Sequence, residues 1–408
     1  MPFLSSGAYL AGSHHWDVLV DNAERPGGFD FTAYLDRLES WGHNLIRLWT
    51  HEAWTHEVRP LPYPRTGPGL ARDGRLRYDL SRFDPEYFGR LRDRAEAAGR
   101  RGFRVIVMLW NGWSLHDKGE GNPWHHHPMN RANNVNGIDG DPDACGDGAD
   151  VHTLRVPAIT RLQEAYLEKV VDTVGDLDHV LWEISNESPG DSVAWQYHMI
   201  RYLRAYEAAR GRSHPIGMTA TFPGGTNRDL LSSPADWISP SRKGGWMTSP
   251  PPADPTGKVV LLDTDHLWGI GGDRRWVWKS FLRGHHILYM DPLDADPVRE
   301  GARRAMGHAR RFAERMDFAA LVPEPRLAST GYCLAKRVPG EEEVLVYQPR
   351  SGWARSFSVD LTGIAGELTA EWFDPEAGAT TRAERVTAGA RRRLRAPFPG
   401  DSVLYLRR

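Results

Sequence analysis

The stretch His179-Val180-Leu181-Trp182-Glu183-Ile184-Ser185-Asn186-Glu187-Ser188-Pro189 decides the fold. Its first six residues form an apolar run with one carboxylate, which suits a strand buried on both faces. The next five are polar and end in proline. A buried strand that opens into a polar cluster is typical of the carboxyl edge of a parallel sheet, where α/β proteins place their sites. The same pattern recurs in both directions along the chain. Strands are expected at 6–11, 44–49, 103–110, 179–184, 215–220, 236–239, 258–262 and 286–290. Helical patterns lie between most of them, at 31–41, 84–101, 157–174, 192–210 and 273–282, and a last helix follows at 296–316. The helices at 84 and 296 each open on Asp-Pro, an N-cap followed by proline at the first helical position. Eight strands alternating with helices and loops over about 310 residues predict a (β/α)8 TIM barrel. After Pro323 the pattern alternates apolar with polar residues at 330–336, 343–348, 355–361, 366–374 and 402–406. That predicts a small antiparallel β-sandwich domain. The expected division is a barrel over 1–322 and a sandwich over 323–408.

Composition narrows the function. The chain has 408 residues, with 51 Lys and Arg against 53 Asp and Glu, for a net charge of −2. A nucleic-acid partner, which normally needs a basic face, is therefore not expected. No apolar run reaches the 18 or so residues of a membrane span, so no membrane partner is expected either. The first residues lack a basic and apolar leader pattern, which makes the cytoplasm the expected compartment unless a leader has been trimmed. Two cysteines exclude a disulfide framework and a four-cysteine zinc site. Arginine greatly outnumbers lysine, as a GC-rich bacterial genome alone would produce. The pattern says nothing about oligomeric state. The 16 Trp are informative. Many stand beside polar residues, among them Trp49, Trp54, Trp110, Trp113 and Trp268. As a group they fit a cleft that stacks on flat, hydroxyl-rich ligands.

The chemistry gathers at strand ends. A carboxyl at a barrel mouth, beside an amide and under tryptophans, can stay protonated near neutrality and give its proton to a leaving oxygen. Glu187 is the candidate. On strand alternation, Glu183, Ser185 and Glu187 share one face. Glu183 reads as a structural bridge to Arg47 on the second strand. The partner carboxylate is expected at the end of the seventh strand, where Asp263 and Asp265 share a face. A separation of about 5 Å would favour a retaining glycosidase and about 6.5–9.5 Å an inverting one. His14, His15, His116 and His266 stand at strand ends as hydrogen-bond donors to hydroxyls. His125-His126-His127 matches no zinc spacing, and no metal is expected there. The acidic run over 139–150 departs from a calcium loop at its glycine and its final glutamate, and reads as a surface turn. Gly269–Gly272 is not a nucleotide fingerprint. No cofactor is expected.

Trp182-Glu183-Ile184-Ser185-Asn186-Glu187-Ser188, ending a fourth barrel strand, resembles the Asn-Glu signature of clan A glycoside hydrolases. The resemblance implies that Glu187 is the acid/base and that Asn186 holds the sugar hydroxyl next to the reacting carbon. It implies that Arg47 is the clan's inward arginine. The layout is also similar to the apiosidase-like group, whose barrel carries a C-terminal sandwich of the collagen-binding type. Glu371-Trp372-Phe373-Asp374-Pro375 and the closing Ser402-Val403-Leu404-Tyr405-Leu406 carry that likeness. The clan's strand-seven glutamate is replaced here by Asp263-Thr264-Asp265-His266. Alignment on Thr-Glu puts the nucleophile at Asp265, one methylene shorter, with Asp263 as the alternative. No tyrosine ends the sixth strand, and Asp291 stands where a tryptophan often ends the eighth. The resemblance implies an O-glycosyl hydrolase on a carbohydrate substrate, read as retaining, and the long loop over 111–153, rich in Gly, Asn, Asp and His, would close the cleft and favours exo action on a small glycan or glycoside. Trp49, Trp110, Trp113 and Trp268 would wall the cleft, with Asp291, His14, His15, His116 and His266 around the sugar. A metal-dependent hydrolase using the histidines, and a non-catalytic sugar-binding barrel, are the competing readings.

Overall fold

The computed structural model describes residues 8–23, 27–243, 257–349, 355–381 and 384–408. Eight parallel strands close into a barrel: β1 (Ala11–His14), β2 (Leu45–Leu48), β3 (Arg104–Asn111), β4 (Val180–Asn186), β5 (Ile216–Thr219), β6 (Trp237–Ser239), β7 (Val259–Asp263) and β8 (His286–Met290). Each strand pairs with its neighbours in chain order, and β8 closes on β1 through Ala11–Ile287 and His14–Met290. The lower lumen is filled by one ring of side chains, including Leu45, Ile106, Leu181, Trp237, Leu261 and Leu288. Inward side chains from successive strands make that ring a packed core and not a channel. Trp237 fits because Gly217 on β5 has no Cβ, which would fall within about 2 Å of the indole.

The helices follow their caps. The chain forms α1 (Phe31–Trp41), α2 (Pro85–Arg100), α3 (Pro157–Val174), α4 (Val193–Ala208), α5 (Asn227–Leu231), α6 (Thr264–Leu267), α7 (Arg274–Phe281) and α8 (Pro297–Glu314). Asp84 accepts a hydrogen bond from the Glu86 N–H, and Asp296 accepts from Val298 and Arg299. Both sit ahead of a proline that has no N–H to lose. Among the described residues no helix is long and apolar enough to cross a membrane.

Three features differ from the sequence-based expectation. The first strand is Ala11–His14, which overlaps the expected 6–11 only at Ala11; residues 6 and 7 lie outside the described residues. Ala-Gly-Ser-His carries little apolar signal, and its complete burial comes from neighbouring strands. The segment between β2 and α2 is not a plain loop. Val58–Arg59 pairs with Asp21–Asn22, and Arg65–Leu70 forms a hairpin with Leu76–Tyr78. The strand-four alternation breaks near its end, as described below.

The loop after β3 is knitted by asparagines. Asn134 donates to the carbonyls of Pro128, Asn130 and Ile138, and Asn133 to those of His125 and His127. Its acidic residues cap turns: Asp141 accepts from the Gly146 N–H and Asp147 from Ala149.

Beyond the barrel come β9 (Val322–Pro323), β10 (Cys333–Lys336), β11 (Glu343–Gln348), β12 (Ser356–Asp360), β13 (Glu367–Asp374), β14 (Ala379–Thr380), β15 (Glu384–Thr387), β16 (Arg391–Arg395) and β17 (Ser402–Arg407). One antiparallel sheet runs β9-β10-β11-β17-β13-β14, with β15 also on β13, and β12 pairs with β16. The two sheets share a core in which Phe357 and Val359 meet Trp372, Leu404 and Leu406. Alternation puts Tyr347, Phe373 and Tyr405 on the other face of the larger sheet. That face packs on the barrel's helices, with Phe373 5.7 Å from Trp278 and 5.1 Å from Phe312, ring centre to ring centre.

Candidate active site

The site starts from one buried cation. Arg47 projects from β2 into the barrel and is fully buried. Its Nε and Nη2 donate to both oxygens of Glu183 on β4, at 2.7 and 2.5 Å. Nη2 also donates to Asn186 Oδ1 at 2.8 Å, and Nη1 lies 3.3 Å from both Asp263 and Asp265. A guanidinium buried this deeply is stable only when its donors are answered in this way. Arg47 therefore ties the floor of the mouth together across β2, β4 and β7.

Asp263 and Asp265 have separate positions. Asp263 is 1% exposed. It accepts from His14 Nε2 at 3.0 Å and caps the start of α6 through the Asp265 N–H at 3.0 Å. Burial pushes its carboxyl up, but His14, Arg47 and His266 outweigh burial and hold it well below the usual carboxylate range. Asp265, two residues on, lines an open cleft of about 360 Å³. Glu187, Phe222, His266, Trp268 and Lys243 line the same cleft.

Asn186 and His266 are coupled. His266 Nε2 donates to Asn186 Oδ1 at 3.0 Å, and its Nδ1 accepts from Ser239 at 2.7 Å. With Arg47 and His266 both on its oxygen, the carboxamide orientation of Asn186 is set. Ser185 does not share the barrel face with Glu183. Its hydroxyl meets Ser188, which donates to His152 Nδ1 at 2.8 Å, and His152 stacks on Trp195 of α4. Asn186 is the residue that joins Glu183 on Arg47, so simple alternation fails at the strand end.

Glu187 lies in the turn just beyond β4, with φ at +44°. This left-handed backbone is strained for any residue but glycine. Several contacts hold it. The Glu187 carbonyl accepts from Lys118 Nζ at 3.0 Å. Gly112 packs so closely that a Cβ there would lie 2.3 Å from that same oxygen. Behind the turn, Ser188 is bound to His152, and His152 Nε2 lies 3.0 Å from Glu52. His152 and His127 keep the buried Glu52 carboxyl down at about 2, although burial alone would raise it.

The Glu187 carboxyl accepts a hydrogen bond from Trp113 Nε1 to Oε2 at 2.5 Å. Burial first, and then the negative charge of Asp265, push its pKa up to about 8. Trp113, Lys118 and Arg47 oppose that shift without cancelling it. Burial also lowers Lys118 to about 8, against the pull of Glu187 and Asp265. The Lys118 ammonium stands 4.9 Å from the centre of the Trp113 ring and 5.6 Å from that of Phe222.

Arg47, His14, Trp49, Trp113, Asn186, Glu187, Asp263, Asp265, His266 and Trp268 thus come together at one mouth. Trp49 stacks on His14 at 5.3 Å and lies under the Arg47 guanidinium. Trp268 remains 37% exposed on the rim. Four expected residues are placed elsewhere. Trp110 is not a wall of the cleft: it packs on Tyr166 and Trp195 of the helical layer. Asp291 is not free for substrate, because Arg303 grips both its oxygens, at 2.9 and 2.5 Å. His15 stacks on Trp16 and Phe29 and lies 4.0 Å from Asp17. His116 lies in the loop of Lys118 but does not line the cleft. Lys118, Phe222, Glu52 and His152 were not singled out from sequence. A local signal exists for Phe222 alone, in the Phe222-Pro223-Gly224-Gly225 turn run after the fifth strand, which the sequence reading left unused.

A family model described as a domain of unknown function, DUF6298, matches residues 30–223, the part that carries Arg47, Trp113, Asn186 and Glu187. No curated protein matches the chain. The fold recurs in solved glycoside hydrolases. One, titled simply a glycoside hydrolase, is 13% identical with a TM-score of 0.59, over 98% of this chain and 97% of that one. A family 5 glycoside hydrolase from Bacteroides vulgatus is 12% identical at a TM-score of 0.58, over 98% and 92%. A family 30, subfamily 8 xylanase from Clostridium acetobutylicum is 15% identical at 0.50, over 98% and 96%. At these identities the likeness is one of fold.

Proposed function

We propose that the chain is a glycoside hydrolase of the clan A type that cleaves an O-glycosidic bond with a pair of carboxylates. The observation that carries this reading is that Glu187 and Asp265 line one cleft at the mouth of the barrel. Burial and the negative charge of Asp265 push the Glu187 pKa up to about 8, which suits a carboxyl that holds its proton near neutral pH. An acid of this kind can protonate a leaving oxygen while a carboxylate across the ring meets the positive charge developing at the anomeric carbon. Asp265 takes that second role in preference to Asp263. Asp263 is enclosed by His14, Arg47 and the start of α6, whereas Asp265 faces the cleft.

In a retaining reaction Asp265 attacks the anomeric carbon as Glu187 gives its proton to the leaving oxygen. Glu187, now a carboxylate, then draws a proton from the water that releases the sugar. Asn186 holds the neighbouring hydroxyl, with its amide fixed by Arg47 and His266. Trp268 and Phe222 supply apolar faces for the sugar ring. The long loop after β3 brings Trp113 and Lys118 onto Glu187, and a loop of that length over the mouth is the reason for reading the attack as exo, on a terminal unit.

The test is Glu187→Gln. It should remove most activity on substrates with poor leaving groups and less on activated aryl glycosides, which need little proton donation. Equal cleavage of both by the variant would overturn the assignment. NMR of the first-formed anomer decides between retention and inversion.

A further inference from the structure

A second cleft, of about 430 Å³, shares no lining residue with the first. That volume falls in the usual range for small-ligand sites. It is built by the segment between β2 and α2, including the hairpin absent from the sequence reading, and by His126 from the loop after β3. Both loops leave carboxyl ends of barrel strands, so the cleft lies on the same face of the barrel as Glu187.

Two observations link it to the site above. Trp54, half-buried, is part of its lining, and its ring centre is 6.5 Å from that of Trp113. Trp113 donates to the Glu187 carboxyl and stacks on Phe222 at 6.4 Å. A line of aromatic rings therefore runs from the Glu187 cleft to the second one. The other observation is charge. The guanidiniums of Arg59, Arg65 and Arg75 share the cleft with four carboxylates. Arg65 pairs with Asp73, and Arg75 with Glu57, each at 2.5 Å. This lining has no surplus positive charge for a phosphate or a uronate. It is too polar for a hydrocarbon. Paired charges held in place beside an indole face present fixed donors and acceptors, a set that suits the hydroxyls of a neutral sugar.

We infer that this cleft binds a neutral sugar unit on the leaving-group side of the glycan cleaved at Glu187. The inference rests on the reading of Glu187 as the acid. The acid touches the leaving oxygen, so the leaving group begins at Glu187, and the aromatic line from that carboxyl leads through Trp113 to Trp54. An exo enzyme built this way removes a terminal unit from a longer chain and recognises the part it leaves behind.

The experiment uses the full chain carrying Glu187→Gln, titrated by calorimetry with β-1,4-linked xylo-, manno-, cello- and galacto-oligosaccharides of one to four units. Trigalacturonate serves as the acidic control. At least one neutral series should gain about tenfold or more in affinity between one and three units. Adding Trp54→Ala, or separately His126→Ala, should abolish that gain. In the chain with Glu187 intact, His126→Ala should leave kcat/KM on aryl monosaccharide glycosides unchanged. The inference is overturned if no neutral series gains with length, if the gain survives both substitutions, or if trigalacturonate binds best. Failure of the acid reading would show elsewhere, as undiminished turnover by Glu187→Gln.

Discussion

At the scale of single residues, the proton on Glu187 is governed by charges that can be removed one at a time. With Glu187 as the proposed acid, its pKa of about 8 should place the alkaline limb of the rate profile there, with activity falling as the carboxyl ionises. Lys118 is a cation beside it, and a cation favours the carboxylate and so lowers the pKa. Lys118→Met should therefore move the alkaline limb to higher pH, as well as slowing turnover by releasing the Glu187 carbonyl. The check is kcat/KM on an aryl glycoside between pH 5 and 10. A limb that stays in place would show that Lys118 does not set the acid. Sequence could not reveal this. Asn186 and Glu187 were legible because a strand end concentrates polar residues in one short run. Lys118 lies 69 positions from Glu187, and only the folded loop brings its ammonium to the turn. The proposed choice of Asp265 over Asp263 was likewise closed to sequence, because it rests on which carboxylate caps α6. Asp291 read as a substrate ligand because its strand-end position is the usual place for one, but Arg303 on α8 claims it.

At the scale of elements, the turn after β4 depends on how closely the end of β3 can approach it. Gly112→Ala would put a methyl group 2.3 Å from the Glu187 carbonyl and 2.5 Å from the Ser188 Cα, both backbone atoms. Relief requires the turn to move. The expected cost is about 1–3 kcal/mol of stability, the usual range for overpacking, with a loss of activity larger than that stability loss accounts for. Urea unfolding and aryl-glycoside kinetics on the same preparation separate the two effects. Native stability with unchanged turnover would show that the contact is not needed. The longer helices were legible where local capping decides them, as at Asp84-Pro85 and Asp296-Pro297, whereas the short helices Asn227–Leu231 and Thr264–Leu267 were not expected. The hairpin Arg65–Leu70 with Leu76–Tyr78 was not legible. It has little apolar alternation, and Arg65 lies over the Tyr78 ring at 4.0 Å, a cross-strand contact invisible in the linear order. β15 and β16 were missed for a similar reason, since Arg391–Arg395 offers a single apolar residue.

At the scale of the whole molecule, the C-terminal sheets are fastened to the barrel by an aromatic seam. Phe373 is 6% exposed and meets Trp278, His308 and Phe312. Phe373→Ala should cost about 3–5 kcal/mol, in line with other buried Phe truncations. Because the seam joins both parts, denaturant unfolding should remain a single transition with a lower midpoint. Separate transitions in the variant would instead mean that this one ring couples the two parts. The seam was half legible: alternation after Pro323 announced strands, but not which face would meet the barrel. The backbone at Glu187 bears on the history open to such a chain. A left-handed glutamate costs about 1–2 kcal/mol that glycine would recover, so Glu187→Gly lies downhill for folding and is fatal to the proposed chemistry. If selection for turnover ceased, drift toward glycine at this position would be an early mark of its loss.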